Sequence, residues 1–224
     1  MSQILALVPG YNEEAGIGKV VQGVSPHLPV LVVDDGSKDS TADKAREAGA
    51  EVIRQEPNQG KGVALRRGFN LALERGYDAI LTLDADGQHD PDEVPRFLTK
   101  FEETHADLII GARDFSQMPI VRRVSNTFAR TSFSWTVGQS IPDNQSGYRL
   151  IGRSLLEKLK DSDEMGFEFE VEMIVTCVRD EMRLEWVPIS TIYADEESHI
   201  DPWQHTVSFL RILRKARAMM KARS

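Results

Sequence analysis

Short apolar runs alternate, along the first half of the chain, with longer segments in which apolar residues recur at helical spacing. The runs that predict strands are ILALV (4–8), PVLVVDD (29–35), EVIR (51–54), AILTLD (79–84) and DLIIGAR (107–113). The segments between them, GIGKVVQGV, STADKAREAGA and GKGVALRRGFNLALERG, are typical of helices. This alternation predicts an α/β protein with a Rossmann-like, mostly parallel central sheet flanked by helices.

The second half of the chain has a less regular pattern. Residues 121–138 and 167–180 favour helices, and residues 184–193 favour an extended segment. The last segment, 203–224, carries six Lys or Arg and no acid, and its apolar residues Trp203, Val207, Leu210 and Leu213 share one helical face. We therefore predict a basic amphipathic helix over 201–224. Such a helix either lies on an anionic membrane surface or docks on the preceding domain with its basic face in water.

Composition narrows the class of protein. A chain of 224 residues suits one α/β domain, and its net charge of −8 argues against a nucleic-acid binder. The single cysteine, Cys177, provides no disulfide framework, which suits the reducing cytoplasm. No apolar run approaches the ~18 residues of a membrane span, and the first predicted strand leaves no room for a signal peptide. We expect a protein that is soluble or that contacts a membrane without crossing it.

Three polar clusters follow three of the predicted strands. They are PGYNEE (9–14), DDGSKDS (34–40) and DADGQHD (84–90). Because ligands of open parallel sheets bind beyond the carboxyl ends of the strands, we expect the three loops to meet at one edge of the sheet.

The third cluster contains an Asp-x-Asp pair, Asp84 and Asp86, directly after a strand. Two carboxylates one residue apart can bind one hard cation, and Mg²⁺ or Mn²⁺ retains positions for phosphate oxygens. The alternative is a solvated acidic loop before a helix N-terminus. We favour the metal for Asp84 and Asp86, and the helix N-terminus for Asp90, Asp92 and Glu93.

The other clusters suit a nucleotide. Asp34 and Asp35 can accept hydrogen bonds from a base or ribose, Tyr11 can stack on a base, and Glu13 is a further acceptor. Each cluster also has a purely structural interpretation, as a strand-ending turn or as a helix cap formed by Asn12. Lys61 stands between glycines at the start of a predicted helix, which suits an anion.

The motifs VPGYNEE, VVDDGSKDST, NQGKGVALRRG, LDADGQHDPDEV, IGAR and DNQSGYRL together resemble those of family 2 glycosyltransferases. They occur in the same order over roughly residues 4 to 192, and the branch they resemble most is that of the dolichol-phosphate mannosyltransferase-like, or polyprenyl-phosphate, enzymes. The resemblance implies a GT-A fold, a nucleoside-diphosphate sugar as donor and a divalent metal, Mg²⁺ or Mn²⁺. It divides the catalytic domain, 1–200, into a nucleotide-binding half of about 1–113 and an acceptor half of about 114–200.

The resemblance also implies roles for single residues. The residues implied to hold the nucleoside are Pro9, Tyr11, Glu13, Val33 and Asp35. Further candidates for binding the nucleotide are Asn12 and Asp34, in the same clusters, and Lys61 at the helix start. Asp84, Asp86 and Gln88 are implied to hold the metal and, through it, the diphosphate, while Ala85 lies against the nucleotide. Arg113 is implied to reach the acceptor phosphate or the diphosphate. A second arginine that opens the following helix is either Arg122 or Arg123, of which we favour Arg123.

One segment departs from this branch of the family. Its members carry an R-x-x-G-E-S-K-like segment, and here the matching stretch is YADEESHI (193–200). Glu197 and Ser198 match, but Tyr193 replaces the arginine and His199 the lysine. The departure weakens the case for GDP-mannose as the donor.

We therefore expect a metal-dependent, inverting enzyme that moves a sugar from GDP-mannose or a UDP-sugar to a polyprenyl or dolichyl phosphate. Such an enzyme would lie in the cytoplasm or on the cytoplasmic face of a membrane, which residues 203–224 would contact. If the acceptor is instead a saccharide or other hydroxyl, a base is needed, and Asp143 is the candidate, although it also suits a turn before a strand. A sugar nucleotidyltransferase and a nucleotide-binding module without turnover are more remote alternatives. The pattern leaves the oligomeric state open.

Overall fold

The computed structural model describes residues 2–114, 120–166, 168–190 and 202–221, with side chains except at 120–126, 202–210 and 212. Within these ranges seven strands form one sheet in the order β3-β2-β1-β4-β6-β5-β7. The strands are β1 (Ile4–Gly10), β2 (Val30–Asp34), β3 (Glu51–Arg54), β4 (Ala79–Thr82), β5 (Leu108–Arg113), β6 (Arg149–Gly152) and β7 (Leu184–Ile189). All neighbouring strands are parallel except β6, which runs antiparallel to β4 and β5.

Helices cover both faces of this sheet. They are α1 (Ile17–Val24), α2 (Thr41–Glu47), α3 (Lys61–Glu74), α4 (Val94–Thr104), α5 (Ile120–Val137), α6 (Arg153–Leu159), α7 (Glu168–Arg179) and α8 (Pro202–Lys221). Buried side chains of α1, α2 and α4 pack in one hydrophobic core, and those of α3, α5, α6, α7 and α8 pack in the other. The alternation along β1 and β2 produces this division, because successive side chains of a strand point to opposite faces.

The strand order creates a crevice at the carboxyl ends of β1 and β4. The chain builds outward from β1 through β2 to β3, and then returns to place β4 on the other side of β1. At such a switch point the loops after the two central strands diverge and leave room for a ligand.

The predicted α/β architecture with a mostly parallel sheet is confirmed. Each of the five strands predicted in the first half is present within a few residues of its predicted bounds. The sequence pattern did not reveal the antiparallel direction of β6 or the short helix α6. Cys177 is fully buried in the second core, and burial raises the pKa of its thiol to about 12. The proposed boundaries at 113 and 200 stay predictions.

The described part of the last helix docks on the domain. Ala216 is fully buried, and Leu213, Met219 and Met220 pack against the second core. Of the two interpretations left open for this segment, docking therefore holds for the second half of α8. None of the helices in the described ranges is both long and apolar enough to cross a bilayer.

Candidate active site

A cleft of about 350 Å³ opens at the carboxyl ends of β1, β2 and β4. Three loops and the start of α3 form its walls. The lining residues are Pro9, Gly10, Tyr11, Glu13, Asp35, Asn58, Gly60, Lys61, Ala64, Asp84, Ala85 and Asp86. The expectation that the polar clusters meet at one edge of the sheet agrees with this geometry.

Asp84 lies at the centre of a charge cluster in the cleft. One oxygen of its carboxylate, Oδ1, is 2.5 Å from Lys61 Nζ, and the other, Oδ2, is 3.1 Å from His89 Nε2. Lys61 Nζ is also 3.0 Å from Oε1 of Glu170, a buried residue of α7. Burial alone would raise the pKa of Asp84, but Lys61 and His89 outweigh it and hold this pKa well below its usual range. Asp84 is therefore an anion paired to a lysine.

Asp86 has a different environment. Its Oδ1 accepts a 2.9 Å hydrogen bond from the backbone N–H of Gln88. Burial raises the pKa of Asp86, and the neighbouring charge of Asp84 raises it further. A cation between the two carboxylates would relieve this repulsion, because it favours the charged form of both.

Glycines allow other backbone segments to approach this pair closely. A Cβ at Gly147 would lie 2.5 Å from Asp84 Oδ2, and a Cβ at Gly16 would lie 2.5 Å from the carbonyl oxygen of Ala85. A side chain at either position would push the Asp-x-Asp segment out of place. Gly147 belongs to the DNQSGYRL motif, so this motif contacts the acidic loop directly.

Asp35 orders the loop that precedes α3. Its carboxylate accepts hydrogen bonds from the backbone N–H of Gln59 and of Gly60, both at 2.8 Å, and from Gln55 Nε2 at 2.5 Å. A carboxylate offers about four acceptor positions, so Asp35 keeps capacity for a ligand. Asp34 does not line the cleft. It is fully buried, and it accepts from the N–H of Ser37.

The first loop presents Pro9, Tyr11 and Glu13 to the cleft. Tyr11 is 43 % exposed there and is accessible for stacking. Asn12 instead joins two loops: with a φ of 57°, it donates its N–H to Ser37 Oγ and accepts the N–H of Lys38.

Two further predicted residues lie behind or beside the cleft walls. Val33 is fully buried in the second core, so it supports the wall without lining it. Gln88 contributes its backbone N–H to Asp86.

Arg113 and Asp143, the two residues expected to act on the acceptor, form an ion pair. Arg113 Nε is 2.6 Å and Nη2 is 3.0 Å from the two oxygens of Asp143, whose side chain is 1 % exposed. The backbone N–H groups of Arg113 and Gln145 donate to the same carboxylate. The fork-shaped contact fixes the guanidinium in one orientation.

Arg149, a residue that sequence reasoning missed, connects the chain segments next to the Arg113–Asp143 pair. It is fully buried at the start of β6 and donates to the backbone carbonyls of Asn144, Ser146 and Glu170. The buried cation therefore ties the loop that carries Asp143 to the helix that carries Glu170. Burial lowers the pKa of the Arg149 guanidinium, and the charges of Glu170, Asp143 and Asp84 act in the opposite direction.

The donor set at Asp84 and Asp86 fits a hard divalent cation. Both groups are carboxylates, the ligands that Mg²⁺ and Mn²⁺ prefer. Within the ranges that the structure describes, no three His, Cys, Asp or Glu side chains form a cluster that could hold a metal. The residues that would hold such an ion are Asp84 and Asp86, and Gln88 as a third ligand stays a prediction.

Apart from the Arg113–Asp143 pair, the predicted residues form three groups according to where the structure places them. Eight of them line one cleft: Pro9, Tyr11, Glu13, Asp35, Lys61, Asp84, Ala85 and Asp86. Four lie next to it, namely Asn12, Val33, Asp34 and Gln88. The side chains of Arg122 and Arg123 are not described, and Tyr193, Glu197, Ser198 and His199 lie outside the described residues.

Comparison with known proteins identifies the family. The glycosyl transferase family 2 profile matches residues 6–160. The chain is 33 % identical to the undecaprenyl-phosphate mannosyltransferase of Micrococcus luteus, over 85 % of this chain and 84 % of that protein. It is 30 % identical to the UDP-N-acetylglucosamine–dolichyl-phosphate N-acetylglucosaminyltransferase of Methanococcus voltae, over 86 % of each. The chain therefore belongs to glycosyltransferase family 2 and is a glycosyltransferase.

A solved structure supports the fold. The chain is similar to glucosyl-3-phosphoglycerate synthase from Mycobacterium tuberculosis in complex with Mn²⁺, uridine-diphosphate-glucose and phosphoglyceric acid. The TM-score is 0.74 at 21 % identity, over 99 % of this chain and 79 % of that one. The fold is thus the GT-A-like α/β fold expected from the motifs.

Proposed function

We propose that the protein is a metal-dependent, inverting glycosyltransferase that moves a sugar from a nucleoside-diphosphate sugar, GDP-mannose or a UDP-sugar, to a polyprenyl or dolichyl phosphate. The observation that carries the proposal is the meeting of Asp35, Lys61, Asp84 and Asp86 in one cleft at the switch point of the sheet. In this proposal the nucleoside lies between Tyr11 and Asp35, and the diphosphate lies at Lys61 and the Asp pair.

The charges of the cleft suit a diphosphate leaving group. Transfer of the sugar leaves additional negative charge on the diphosphate. A bound Mg²⁺ or Mn²⁺ would stabilise that charge as a Lewis acid, and Asp84 and Asp86 would hold it. Lys61 supplies a fixed positive charge beside Asp84. Solved structures of glucosyl-3-phosphoglycerate synthase, which has a similar fold, contain Mn²⁺ or Mg²⁺, and this supports the choice of metal.

The Arg113–Asp143 pair favours a phosphate acceptor over a hydroxyl. A hydroxyl needs a base, but the oxygens of Asp143 already accept hydrogen bonds from Arg113 and Gln145. A phosphate monoester is already anionic and requires positioning instead. An oriented guanidinium is suited to that task, because it binds phosphate oxygens in a fork-shaped contact. The two named relatives, both of which act on a polyprenyl phosphate by name, support the same choice.

The test compares two acceptors that differ in one group. The protein is incubated with Mn²⁺ and with GDP-mannose, UDP-glucose or UDP-N-acetylglucosamine, and with either a prenyl monophosphate or the prenol of the same chain length. We expect transfer from one donor to the monophosphate only, loss of transfer with EDTA, and an inverted anomeric linkage in the product. Asp86→Asn should lower kcat/KM about 100-fold, because the metal contributes several kcal/mol to such reactions.

Asp92→Asn is the matched control, because Asp92 belongs to the same acidic segment but is exposed and does not line the cleft. It should leave kcat/KM unchanged. Transfer to the prenol and not to the monophosphate would refute the lipid-phosphate acceptor. Transfer that persists in EDTA would refute the metal dependence.

A further inference from the structure

Helix α5 exposes two large aromatic side chains on one face. Phe128 is 67 % exposed and Trp135 is 78 % exposed. They stand seven residues apart, which places them on the same side of a helix, with the exposed Thr131 between them. On the opposite side Ala129 is buried, and Phe133 and Val137 are buried in the second core. Single exposed apolar residues are ordinary, but two large aromatics on one face indicate a contact surface.

Helix α8 places positive charge beside these aromatics. The guanidinium of Arg217 lies 5.8 Å from the centre of the Trp135 ring, and Arg211 and Arg214 are exposed on the same helix. The apolar side of this part of α8 is buried, so its accessible side is basic. We call Phe128, Trp135, Arg211, Arg214 and Arg217 together the aromatic–basic face.

The charge of these two helices contrasts with that of the rest of the chain. Helix α5 contains three Arg and helix α8 contains five Lys or Arg, and neither contains Asp or Glu. The whole chain nevertheless carries a net charge of −8, so the remainder is strongly acidic. Positive charge concentrated on one side of an otherwise acidic protein turns that side toward an anionic partner.

The two aromatics of the aromatic–basic face belong to the chain segment that joins the two acceptor-side residues. After Arg113, at the end of β5, the chain continues through α5 to Asp143, which is bonded to Arg113, before it re-enters the sheet at β6. A partner held by this face is therefore next to the chain segment that enters and leaves the acceptor side of the cleft.

We propose that the aromatic–basic face binds the surface of an anionic lipid bilayer. Exposed Trp and Phe suit the interface between headgroups and acyl chains, and arginines suit anionic headgroups. A symmetric contact between two copies would bring basic helices against each other, and the like charges oppose it. The inference deepens the proposed function and rests on it for its purpose, since a bilayer is where a polyprenyl phosphate would be presented.

The test is co-sedimentation of the full chain with vesicles of phosphatidylcholine alone or with phosphatidylglycerol added. We expect binding only to the anionic vesicles, weakened by 0.5 M salt. Two double variants alter the face: Phe128→Ser with Trp135→Ser, and Arg214→Ser with Arg217→Ser. Each should bind the anionic vesicles about tenfold more weakly. The arginine variant loses electrostatic attraction to the anionic headgroups, and the aromatic variant loses two side chains suited to the interface. Unchanged melting temperatures would exclude misfolding, as expected for exposed positions.

The matched control removes two lysines from the opposite side of the sheet. Lys19 of α1 and Lys100 of α4 belong to helices that pack on the first core, and Lys19→Ser with Lys100→Ser changes the net charge as much as the arginine variant does. This control should bind like the wild type. Equal weakening by the control would overturn the proposal, and so would wild-type protein that does not sediment with anionic vesicles. Face variants that instead convert a wild-type dimer to a monomer would assign the face to self-association.

A second measurement separates this inference from the proposed function. Transfer to a short, water-soluble prenyl monophosphate without vesicles should be the same in wild type and face variants. Wild-type vesicle binding without any such transfer would refute the proposed function and leave the surface intact. Transfer without vesicle binding would refute the surface alone.

Discussion

Lys61 lies between two carboxylates that come from distant parts of the chain. Asp84 follows β4 and Glu170 belongs to α7, and their side chains are 30 % and 7 % exposed. Without a cation between them the two anions would repel each other in a poorly solvated site. Lys61 therefore stabilises the fold as well as the charge of the cleft, and its own pKa is raised because Glu170 and Asp84 outweigh the effect of burial.

The substitution Lys61→Met tests this role in stability. We expect the metal-free protein to lose about 3 kcal/mol of unfolding free energy, because removing one partner of a buried ion pair leaves an uncompensated charge. Urea denaturation in EDTA measures the loss. Adding Glu170→Gln to Lys61→Met should restore part of it. Lys19→Met, at an exposed lysine, should change stability by less than about 0.5 kcal/mol. Equal losses in the two lysine variants would contradict the argument.

The sequence predicts some of these residues and not others for a physical reason. Asp35, Asp84 and Asp86 follow apolar strands, and the carboxyl ends of parallel strands must meet at one edge. Glu170 and Arg149 carry no such signal, because only the packing of α7 against the sheet brings Glu170 to Lys61, 109 residues away. The chemistry of Asp34 and Asp35 alone does not tell which of them binds a ligand; only the motif resemblance favours Asp35. The structure separates them, since Asp34 is buried away from the cleft and Asp35 lines it.

At the scale of elements, the second half of the last helix, most of whose side chains the structure describes, is part of the hydrophobic core. Within the described residues, Ala216 is fully buried and Ala218, two positions along, is exposed. Leu213, Met219 and Met220 pack against the same core as α7. The accessible side of this part of α8 is basic, and the apolar side holds the helix to the domain.

A pair of identical substitutions tests the docking of α8. Ala216→Glu places a charge where no water can solvate it, so we expect a loss of about 3 kcal/mol or detachment of the helix. Ala218→Glu makes the same chemical change at an exposed position and should alter stability by less than about 0.5 kcal/mol. Thermal unfolding and limited proteolysis of the C-terminal segment measure both effects. Similar protease resistance and melting temperature in the two variants would show that α8 is not docked.

The pattern of apolar residues predicts regular elements better than short ones. Apart from the edge strand β3, the strands of the first half are mainly apolar runs, which is what a sheet covered on both faces requires. Helix α6 has only seven residues, too few for a helical period to be recognised, although Leu155, Leu156 and Leu159 are all buried. The sequence leaves open whether α8 binds a membrane or docks on the domain, because one amphipathic pattern suits both a membrane and a protein core. The surface that receives it, on α5 and α7, is not encoded in the local sequence.

At the scale of the whole molecule, the order of the strands positions the cleft. Parallel strands predict that the loops after β1, β2 and β4 share one edge, and this part follows from the sequence. The switch point between β1 and β4 depends on which strands become neighbours, and hydropathy alone does not determine that order. The position of the DNQSGYRL motif depends on it still more, since β6 enters the sheet antiparallel between β4 and β5 and brings Gly147 against Asp84.

Because nucleotide and metal would bind between the loops after β1, β2 and β4 and the start of α3, they should stabilise the folded protein, and only together. A nucleotide at about 100 times its Kd adds about 2.7 kcal/mol to the stability of a protein that binds it only when folded. We expect GDP or UDP with Mn²⁺ to raise the melting temperature, and either component alone to have little effect, because diphosphate and carboxylates each supply part of the ligand set. Asp86→Asn should abolish the joint shift, and Asp92→Asn should retain it. An equal shift with nucleotide in EDTA would mean that the cleft binds the diphosphate through Lys61 and the backbone, without a metal held by Asp84 and Asp86.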